Sequence, residues 1–415
     1  MITNCLAVDV GKSSSYFALY QSSDISAGSE SLTTLIKPKK LEPKRSVLTA
    51  LLQEVKAVLK DDKFVVAMES TGIYHSPIER FFKDEGIDVI VLNPLLTGKS
   101  AIDGLRKTKT DIKDTRKIAL LVFRGAYNQQ RTVSKLEAYR RDFSRILEER
   151  KSTLVNLKNR LKNYLFKAAP SYEKVAKHRN IFSSGILALI AKYPHAEKIA
   201  AGHLKPMRNL MNKATNNKHQ QSNEEFIKQL KESSKDDIPT IDADSQICEE
   251  ITYLANEIKR LSNSLEALQS KFNNSCKEDK LHATLTGIEG IGDTMASHII
   301  AELGDISRFT TRGKLQAYAG LDPARMQSSK SLNTNGSIVK RGNRHLRKWL
   351  VLTAKLLIMH KDSGNVAANI EAYYRTKKGT KENGGSTHHH LYALIAATNK
   401  LIRIIFGKAQ ALMNA

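Results

Sequence analysis

Residues 6–20, LAVDVGKSSSYFALY, decide the fold of the amino-terminal part of the chain. The first five residues form a short apolar run that predicts a buried strand, and this strand carries one acid, Asp9. A polar turn over residues 12–15 and an apolar run over residues 16–20 predict a returning strand, so the segment predicts a hairpin. A carboxylate inside a buried strand is costly unless it is paired or bound to a metal. Asp9 is therefore the first candidate site residue.

Strand and helix patterns continue outward from this hairpin to about residue 130. The spacing of apolar residues predicts two further buried strands, over residues 64–68 and 87–92. The same spacing predicts three helices, over residues 46–60, 75–85 and 111–125. Buried strands that alternate with helices are typical of a layered α/β domain, which we assign to residues 1–130.

Three more acids occur where this domain brings strand ends and helix starts together. Glu69 follows a buried strand, and Asp111 and Asp114 begin a helix. In a parallel-type sheet these positions gather at one edge, where four carboxylates would repel one another unless divalent cations lay between them. Mg²⁺ prefers oxygen ligands, and two such ions about 4 Å apart suit phosphoryl transfer. For Asp111 or Asp114 alone, capping of the helix start is the ordinary alternative.

Residues 131–280 predict a helical connector. A long basic helix covers residues 134–166, and residues 247–272 carry apolar side chains at alternating steps of four and three, which is the coiled-coil signature. These helices could pair within the chain or across a dimer, and the sequence does not choose between these arrangements. A polar helical insertion, residues 168–245, separates them.

Residues 281–415 predict a mainly helical second domain that begins with a glycine-rich turn. Gly287, Gly290 and Gly292 lie between two helical stretches, in the manner of a helix-hairpin-helix element. The exposed amides of such a turn can meet a DNA phosphate without reading the bases. A purely structural turn with glycine at a helix cap is the alternative.

A basic cluster and a polar loop follow in the same domain. Four of its cations are candidates for phosphate contact, although a solvated basic face is the ordinary alternative. The loop before them contains Ser328, Ser329 and Lys330, with Lys330 as a further phosphate-binding candidate. A serine nucleophile needs a base or nearby cations, so the residues alone leave its role open. The four cations of the cluster are Lys340, Arg341, Arg344 and Arg347.

Composition points to a polyanionic partner. The chain has 415 residues with 66 Lys+Arg against 42 Asp+Glu, and this formal charge of +24 repels itself unless a polyanion binds. The three cysteines are widely spaced and form no CxxC pair, which argues against a zinc ribbon or a disulfide scaffold. We expect no membrane span and no signal peptide, because no sufficiently long apolar run occurs.

Several motifs of the chain, and the order in which they occur, resemble those of the DEDD-type insertion-sequence transposases of family one-ten, which act as bridge-RNA-guided recombinases. The resemblance implies a RuvC-like, RNase H-type first domain in which Asp9, Glu69, Asp111 and Asp114 bind Mg²⁺. It also implies a coiled-coil connector and a helical transposase domain with a nucleophilic serine. The motifs are AVDVGKSSSYFALY (7–20), MESTGIYH (68–75), VLNPLLTGKSAIDGLRKTKTDIKDTRKIALL (91–121), LTGIEGIGDTMASHIIAELGDISRFTTRGKLQAYAGLDPARMQSSKS (285–331) and VKRGNRHLRK (339–348).

The family typically reads Gln-Ser-Gly-Lys at the serine, whereas this chain reads QSSK over residues 327–330. Ser328 occupies the family serine and Ser329 replaces the glycine, so we assign the nucleophile to Ser328, with Ser329 as the alternative. The resemblance implies a covalent serine–DNA intermediate, target and donor DNA, a non-coding guide RNA, and a homodimer or homotetramer. It also implies a prokaryotic cytoplasm, with association to the nucleoid.

Two other functions are compatible with the same residues. A metal-only RuvC-like nuclease, of the kind that resolves Holliday junctions, would use the four acids and leave the carboxyl-terminal domain to bind DNA. A non-enzymatic nucleic-acid scaffold would need neither the acids nor the serine. Replacement of Asp9 and of Ser328 separates the three functions, because each function requires a different combination of these residues.

Overall fold

The computed structural model describes residues 2–22, 32–60, 62–70, 72–92, 111–125, 133–325, 335–338, 340–378 and 390–414. Ser328, Ser329 and Lys330 lie outside these ranges. The backbone of residues 111–113 is described as helical, but the side chain of Asp111 is not among the described ones. The chain divides into two compact units, residues 1–132 and residues 133–415.

A mixed five-stranded sheet forms the centre of the first unit, with strand order β3-β2-β1-β4-β5. The first three strands pair antiparallel, whereas β4 and β5 run parallel to β1. This sheet and its helices are compatible with the α/β RuvC-like domain expected from the sequence. The elements are β1 Asn4–Asp9, β2 Ser15–Ser22, β3 Leu32–Leu41, α1 Arg45–Leu59, β4 Val65–Glu69, α2 Ser76–Asp84, β5 Val89–Leu92 and α3 Asp111–Phe123.

The two faces of the sheet bury different side chains because successive residues of a strand point to opposite sides. On one face, Leu6 and Val8 of β1 pack with apolar side chains of α1 and α2. On the other face, Cys5 and Ala7 pack with the apolar side of α3. Every residue of β1 before Asp9 is buried. All of these residues are apolar except Asn4, whose side-chain amide donates to the carbonyl of Lys63 at 3.1 Å.

Strand β3 was not among the predicted elements. Its sequence, LTTLIKPKKL, contains a proline and three lysines, and most of its side chains are at least partly exposed. Lysine and proline are common on the edge strands of sheets, where they discourage pairing with other chains. The strand lies at the edge of the sheet, so it lacks the apolar run that reveals a buried strand.

Two long antiparallel helices begin the second unit, α4 Lys135–Ala168 and α10 Gln246–Cys276. Arg140 near the start of α4 bonds the carbonyl of Ser275 near the end of α10, at 2.9 Å from Nε. Near the other end, Arg160 lies 3.2 Å from Glu250. The helices therefore pair within the chain, one of the two arrangements that the sequence left open. Whether their packing is that of a regular coiled coil stays a prediction.

Five shorter helices lie between these two in sequence. Their apolar side chains, among them Tyr172 and Ile190, form a common core with Leu161 of α4 and Ile251 of α10. The insertion is therefore part of a packed helical body. The helices are α5 Ser171–Val175, α6 Ser184–Lys192, α7 Ala196–Ala201, α8 Leu204–Ala214 and α9 Gln220–Lys235.

The last part of the chain has a helical core of its own, which includes Trp349 and Ile300. A two-stranded antiparallel ribbon, β6 Pro323–Arg325 and β7 Asn335–Ile338, accompanies the helices. The domain boundary at residue 280 stays a prediction. The helices are α11 Lys280–Thr286, α12 Asp293–Leu303, α13 Arg312–Ala319, α14 Arg344–Met359, α15 Asn365–Lys378 and α16 His390–Asn414.

Within the described ranges, no helix is both long enough and apolar enough to cross a membrane.

Candidate active site

Two of the four predicted acids lie side by side at one edge of the sheet. Asp9 ends β1 and Glu69 ends β4, and the register of these parallel strands pairs Val8 with Met68, one residue earlier in each. Asp9 and Glu69 each come two residues after an alanine, Ala7 or Ala67, that packs against α3. Because side chains alternate along a strand, both acids point to the same face as these alanines. Asp9 and Glu69 are therefore neighbours on the α3 face, and both side chains are partly exposed.

Helix α3 brings a third acid, Asp114, to the same face. The hydroxyl groups of Tyr20 on β2 and Thr115 on α3 lie 3.0 Å apart in a hydrogen bond, and both residues are buried. This bond fixes the start of α3 against the sheet, directly beside Asp114, which is partly exposed. Asp111 is the first residue of the helix. Three of the acids are thus positioned by elements that pack on one another.

The donor set suits a hard divalent cation. The described acids offer only carboxylate oxygens, which Mg²⁺ and Ca²⁺ prefer over nitrogen or sulfur ligands. Among the described residues, no group of three or more His, Cys, Asp or Glu is close enough to hold a metal ion. The pair Asp9 and Glu69 therefore supplies the described part of a potential site, and Asp114 stands on the helix that covers the same face.

Close backbone contacts join residues 318–320 to residues 340–343, which precede and follow the predicted serine loop in the sequence, and we call these contacts the neck. The backbone amide of Asn343 donates to the carbonyl of Tyr318 at 2.6 Å, and the amide of Lys340 donates to Gly320 at 3.3 Å. A Cβ on Gly342 would lie 2.2 Å from the oxygen of Tyr318 and 2.3 Å from the nitrogen of Gly320. Glycine is thus required for the close approach at the neck. Ser328 lies between β6 and β7 in the sequence.

The predicted basic cluster divides into exposed and engaged members. Lys340, Arg341 and Arg344 are exposed at the neck and at the first turn of α14. Arg347 is partly buried and donates from Nη1 to the carbonyl of Ala319 at 3.0 Å, so it also helps to hold the neck. Lys348 donates to the carboxylate of Glu148 at 3.1 Å.

Asn343 joins the first turn of α14 to a buried carboxylate. Its Oδ1 accepts from the amides of His345 and Leu346, at 3.0 and 3.1 Å, which caps the helix. Its Nδ2 donates at 2.8 Å to Glu302, which is fully buried on α12. These two residues were not predicted, although an asparagine directly before a helical pattern is a known signal of a helix start.

A second buried glutamate connects α14 to the long helix α4. Glu148 accepts hydrogen bonds from His345 and Lys348, at 3.0 and 3.1 Å, and from the indole nitrogen of Trp349. Burial alone would raise the pKa of Glu148, but the bonds from His345 and Lys348 and the charge of Lys348 lower it below its usual value. The carboxylate therefore stays charged near neutral pH and anchors the basic turn.

The glycine-rich turn has the predicted position between two helices, α11 and α12. Gly287, Gly290 and Gly292 are exposed. Gly290 has a φ of +90°, and a Cβ there would lie 2.7 Å from Leu357, so this glycine serves the packing of the turn on α14. The exposed acids Glu289 and Asp293 belong to the same turn, and their charges oppose phosphate binding there.

Comparisons with known proteins match both halves of this arrangement. Residues 6–170 match a family model for DEDD transposases of the IS110 type, described as "Transposase". Residues 282–374 match a second family model, described as "Transposase IS116/IS110/IS902 family". The first match contains all four predicted acids, and the second contains the predicted serine and the basic cluster.

Three curated relatives are similar to parts of the chain. The transposase for insertion sequence element IS1328 of Yersinia enterocolitica is 29% identical over 157 residues, which are 37% of this chain and 43% of the relative. A probable family 20 transposase of Pseudomonas aeruginosa is 30% identical over 105 residues, 25% of this chain and 31% of the relative. The pilin gene-inverting protein of Moraxella bovis is 28% identical over 130 residues, 31% of this chain and 39% of the relative.

Each match spans less than half of the relative's own length. The two family models nevertheless occur in one chain, one after the other, and each covers one of the two groups of candidate site residues. The chain belongs to the DEDD transposases of the IS110 family.

Proposed function

We propose that the chain is the transposase of an insertion sequence, which cuts and rejoins DNA through a covalent bond between Ser328 and a DNA phosphate. The observation that carries the proposal is the position of Asp9 and Glu69, side by side on the sheet face that α3 covers with Asp114. The acids Asp9, Glu69, Asp111 and Asp114 would hold Mg²⁺. When bound, this ion would stabilise negative charge on the phosphate and on the leaving oxygen.

The serine step conserves the phosphodiester bond energy. The Ser328 oxygen attacks the phosphorus and loses its proton, the bond to the leaving deoxyribose oxygen breaks, and that oxygen takes up a proton. Attack by the corresponding hydroxyl of another strand reverses the sequence and releases the serine. The exposed cations Lys340, Arg341 and Arg344 stand at the neck of the loop that carries Ser328, which supports a role in holding the phosphate.

Rearrangement of DNA is also supported by one relative, which is named as a pilin gene-inverting protein. Exchange of strands requires two DNA segments, so we propose target and donor DNA as substrates and a homodimer or homotetramer as the active form. We further propose that a non-coding guide RNA selects these sequences by base pairing. A guide RNA suits a chain with a net charge of +24 and no recognisable base-reading motif in its sequence.

Strand cleavage with defined variants tests the proposal. Asp9→Asn and Glu69→Gln should each reduce Mg²⁺-dependent cleavage of the element's terminal DNA at least a hundredfold, because each removes a charged oxygen ligand. Asp84→Asn is the matched control, since Asp84 is an exposed acid at the end of α2, a helix packed on the opposite sheet face. Cleavage that survives both substitutions at the control's rate would overturn the acidic site.

A further inference from the structure

Four side chains lie in one row across the sheet, on the face that α3 covers. The register pairs Asp9 with Tyr16 across β1 and β2, and pairs Tyr16 with Lys40 across β2 and β3. Glu69 stands beside Asp9 on the other side. The row therefore runs from two carboxylates through a tyrosine to an ammonium group.

The face of Tyr16 and Lys40 is fixed by their neighbours. Phe17 and Lys39 are cross-strand partners, and Phe17 is buried with α1 while Lys39 bonds Glu54 of α1. Because side chains alternate along a strand, Tyr16 and Lys40 point to the opposite face, which carries the acids.

The row separates the ammonium group from the carboxylates. Lys40 Nζ lies 5.9 Å from the centre of the Tyr16 ring, within the range of a cation–π contact. Lys40 is exposed and Tyr16 is partly exposed. Neighbouring strands are about 4.8 Å apart, so the backbone of Lys40 is roughly 10 Å from that of Asp9. This span corresponds to about three base steps along the axis of a DNA duplex.

We propose that Lys40 and Tyr16 form a phosphate-binding strip that holds the backbone of the DNA strand being cut, a few nucleotides from the cleavage position. The ammonium group would bind the phosphate, and the tyrosine ring would hold the ammonium group away from Asp9. This inference rests on the proposed function, because it takes the carboxylates of Asp9 and Glu69 to mark the cleavage position.

DNA-binding affinity and its salt dependence test the phosphate-binding strip without requiring cleavage. Lys40→Ala should weaken binding of a short synthetic DNA duplex about five- to tenfold near 0.1 M salt, and the slope of log affinity against log salt should fall by about 0.9. Lys40→Arg should restore the slope. Lys39→Ala removes the same charge from the opposite face and should leave the slope at most slightly changed. Equal effects of Lys39→Ala and Lys40→Ala would overturn the strip.

A tethered crosslinker locates the contact. The three cysteines of the chain are all buried, so Lys40→Cys introduces an exposed thiol that can carry a photoreactive group. We expect crosslinks to the cut DNA strand within about three nucleotides of the cleavage position, and none from Lys39→Cys. Crosslinks to the guide RNA instead of DNA, or to DNA at random positions, would overturn the proposal.

The two proposals fail in different ways. If Asp9→Asn leaves cleavage intact, the proposed acidic site is wrong, whatever Lys40 does. If Asp9→Asn abolishes cleavage while Lys40→Ala leaves both the salt slope and the affinity unchanged, the acidic site stands and the strip is wrong. Tyr16→Phe should preserve binding and Tyr16→Ala should weaken it, since the ring provides the contact with Lys40.

Discussion

The guanidinium group of Arg145 on α4 binds the buried carboxylate of Glu302 on α12 through two parallel hydrogen bonds, 2.9 Å from Nε and 3.0 Å from Nη2. Glu302 is fully buried, and its carboxylate also accepts a hydrogen bond from Nδ2 of Asn343 at 2.8 Å. The pair therefore links the long connector helix to the turn that begins α14.

Arg145→Ala should destabilise the second unit by about 2–4 kcal/mol, because it leaves a buried charge without its strongest partner. The effect should stay below that of a fully buried pair, since Arg145 is itself 43% exposed. Chemical denaturation of the full chain measures the change. Arg150→Ala is the control, as Arg150 is exposed on the same helix, and a loss of equal size there would contradict the argument.

Acid should destabilise the second unit through His298. Burial, together with the charges of Lys151 and Lys348, lowers the pKa of His298 from 6.5 to about 2. The unfolded chain takes up a proton below pH 6.5 and the folded chain does not, so stability decreases as pH falls from 6.5 towards 2, by about 1.4 kcal/mol per unit.

His298→Phe should reduce the difference in unfolding free energy between pH 7 and pH 5 by about 2 kcal/mol. The ring of His298 stacks on Trp349 at 3.7 Å, and phenylalanine keeps an aromatic ring at this place. The variant can be less stable at both pH values, and only the difference between them is diagnostic. An unchanged difference would mean that the folded and unfolded chains protonate His298 alike, and it would contradict the lowered pKa.

The hydrogen bond between Tyr20 and Thr115 should affect catalysis indirectly, by positioning the start of α3 and with it Asp114. Tyr20→Phe removes one buried hydroxyl and should cost about 1 kcal/mol of stability in the first unit. Because this bond fixes the start of α3 beside Asp114, we expect cleavage to require a higher Mg²⁺ concentration. A titration of cleavage against Mg²⁺ checks this expectation, and an unchanged midpoint would argue against the positioning role.

Substitutions of Arg344 and Arg347 should have different effects, the first on DNA binding and the second on stability. Arg344 is exposed, so Arg344→Ala should lower the salt slope of DNA binding by about 0.9 and leave the melting temperature nearly unchanged. Arg347 holds Ala319, so Arg347→Ala should lower the melting temperature by removing a bond worth about 1 kcal/mol. Identical behaviour of the two variants in both measurements would contradict this distinction.

The sequence predicted the parts of the fold that are governed by burial. Strands β1, β2, β4 and β5 are apolar runs, and each was predicted within a few residues of its bounds. Strand β3 escaped prediction because an exposed edge strand with proline and lysines has no apolar run. The sequence also could not predict that α4 and α10 pair with each other within the chain, because a row of apolar side chains does not specify which helix packs against it.

The candidate site was predictable to the same degree. Asp9 and Glu69 were recognisable because each acid ends or interrupts an apolar run. Tyr16 and Lys40 were not recognisable, since their relation to Asp9 depends on the register of three strands. Glu302 and Asn343 were missed for a similar reason, as a buried carboxylate acquires its role from partners on other helices.

Retention of labelled DNA on the denatured protein tests the central claim most directly. After incubation with Mg²⁺, the guide RNA and the element's terminal DNA, the wild-type chain should carry covalently bound DNA, and Ser329→Ala should do the same. Ser328→Ala should carry none. An adduct of normal yield with Ser328→Ala would contradict the account, and so would a wild-type chain that cuts DNA without ever becoming linked to it.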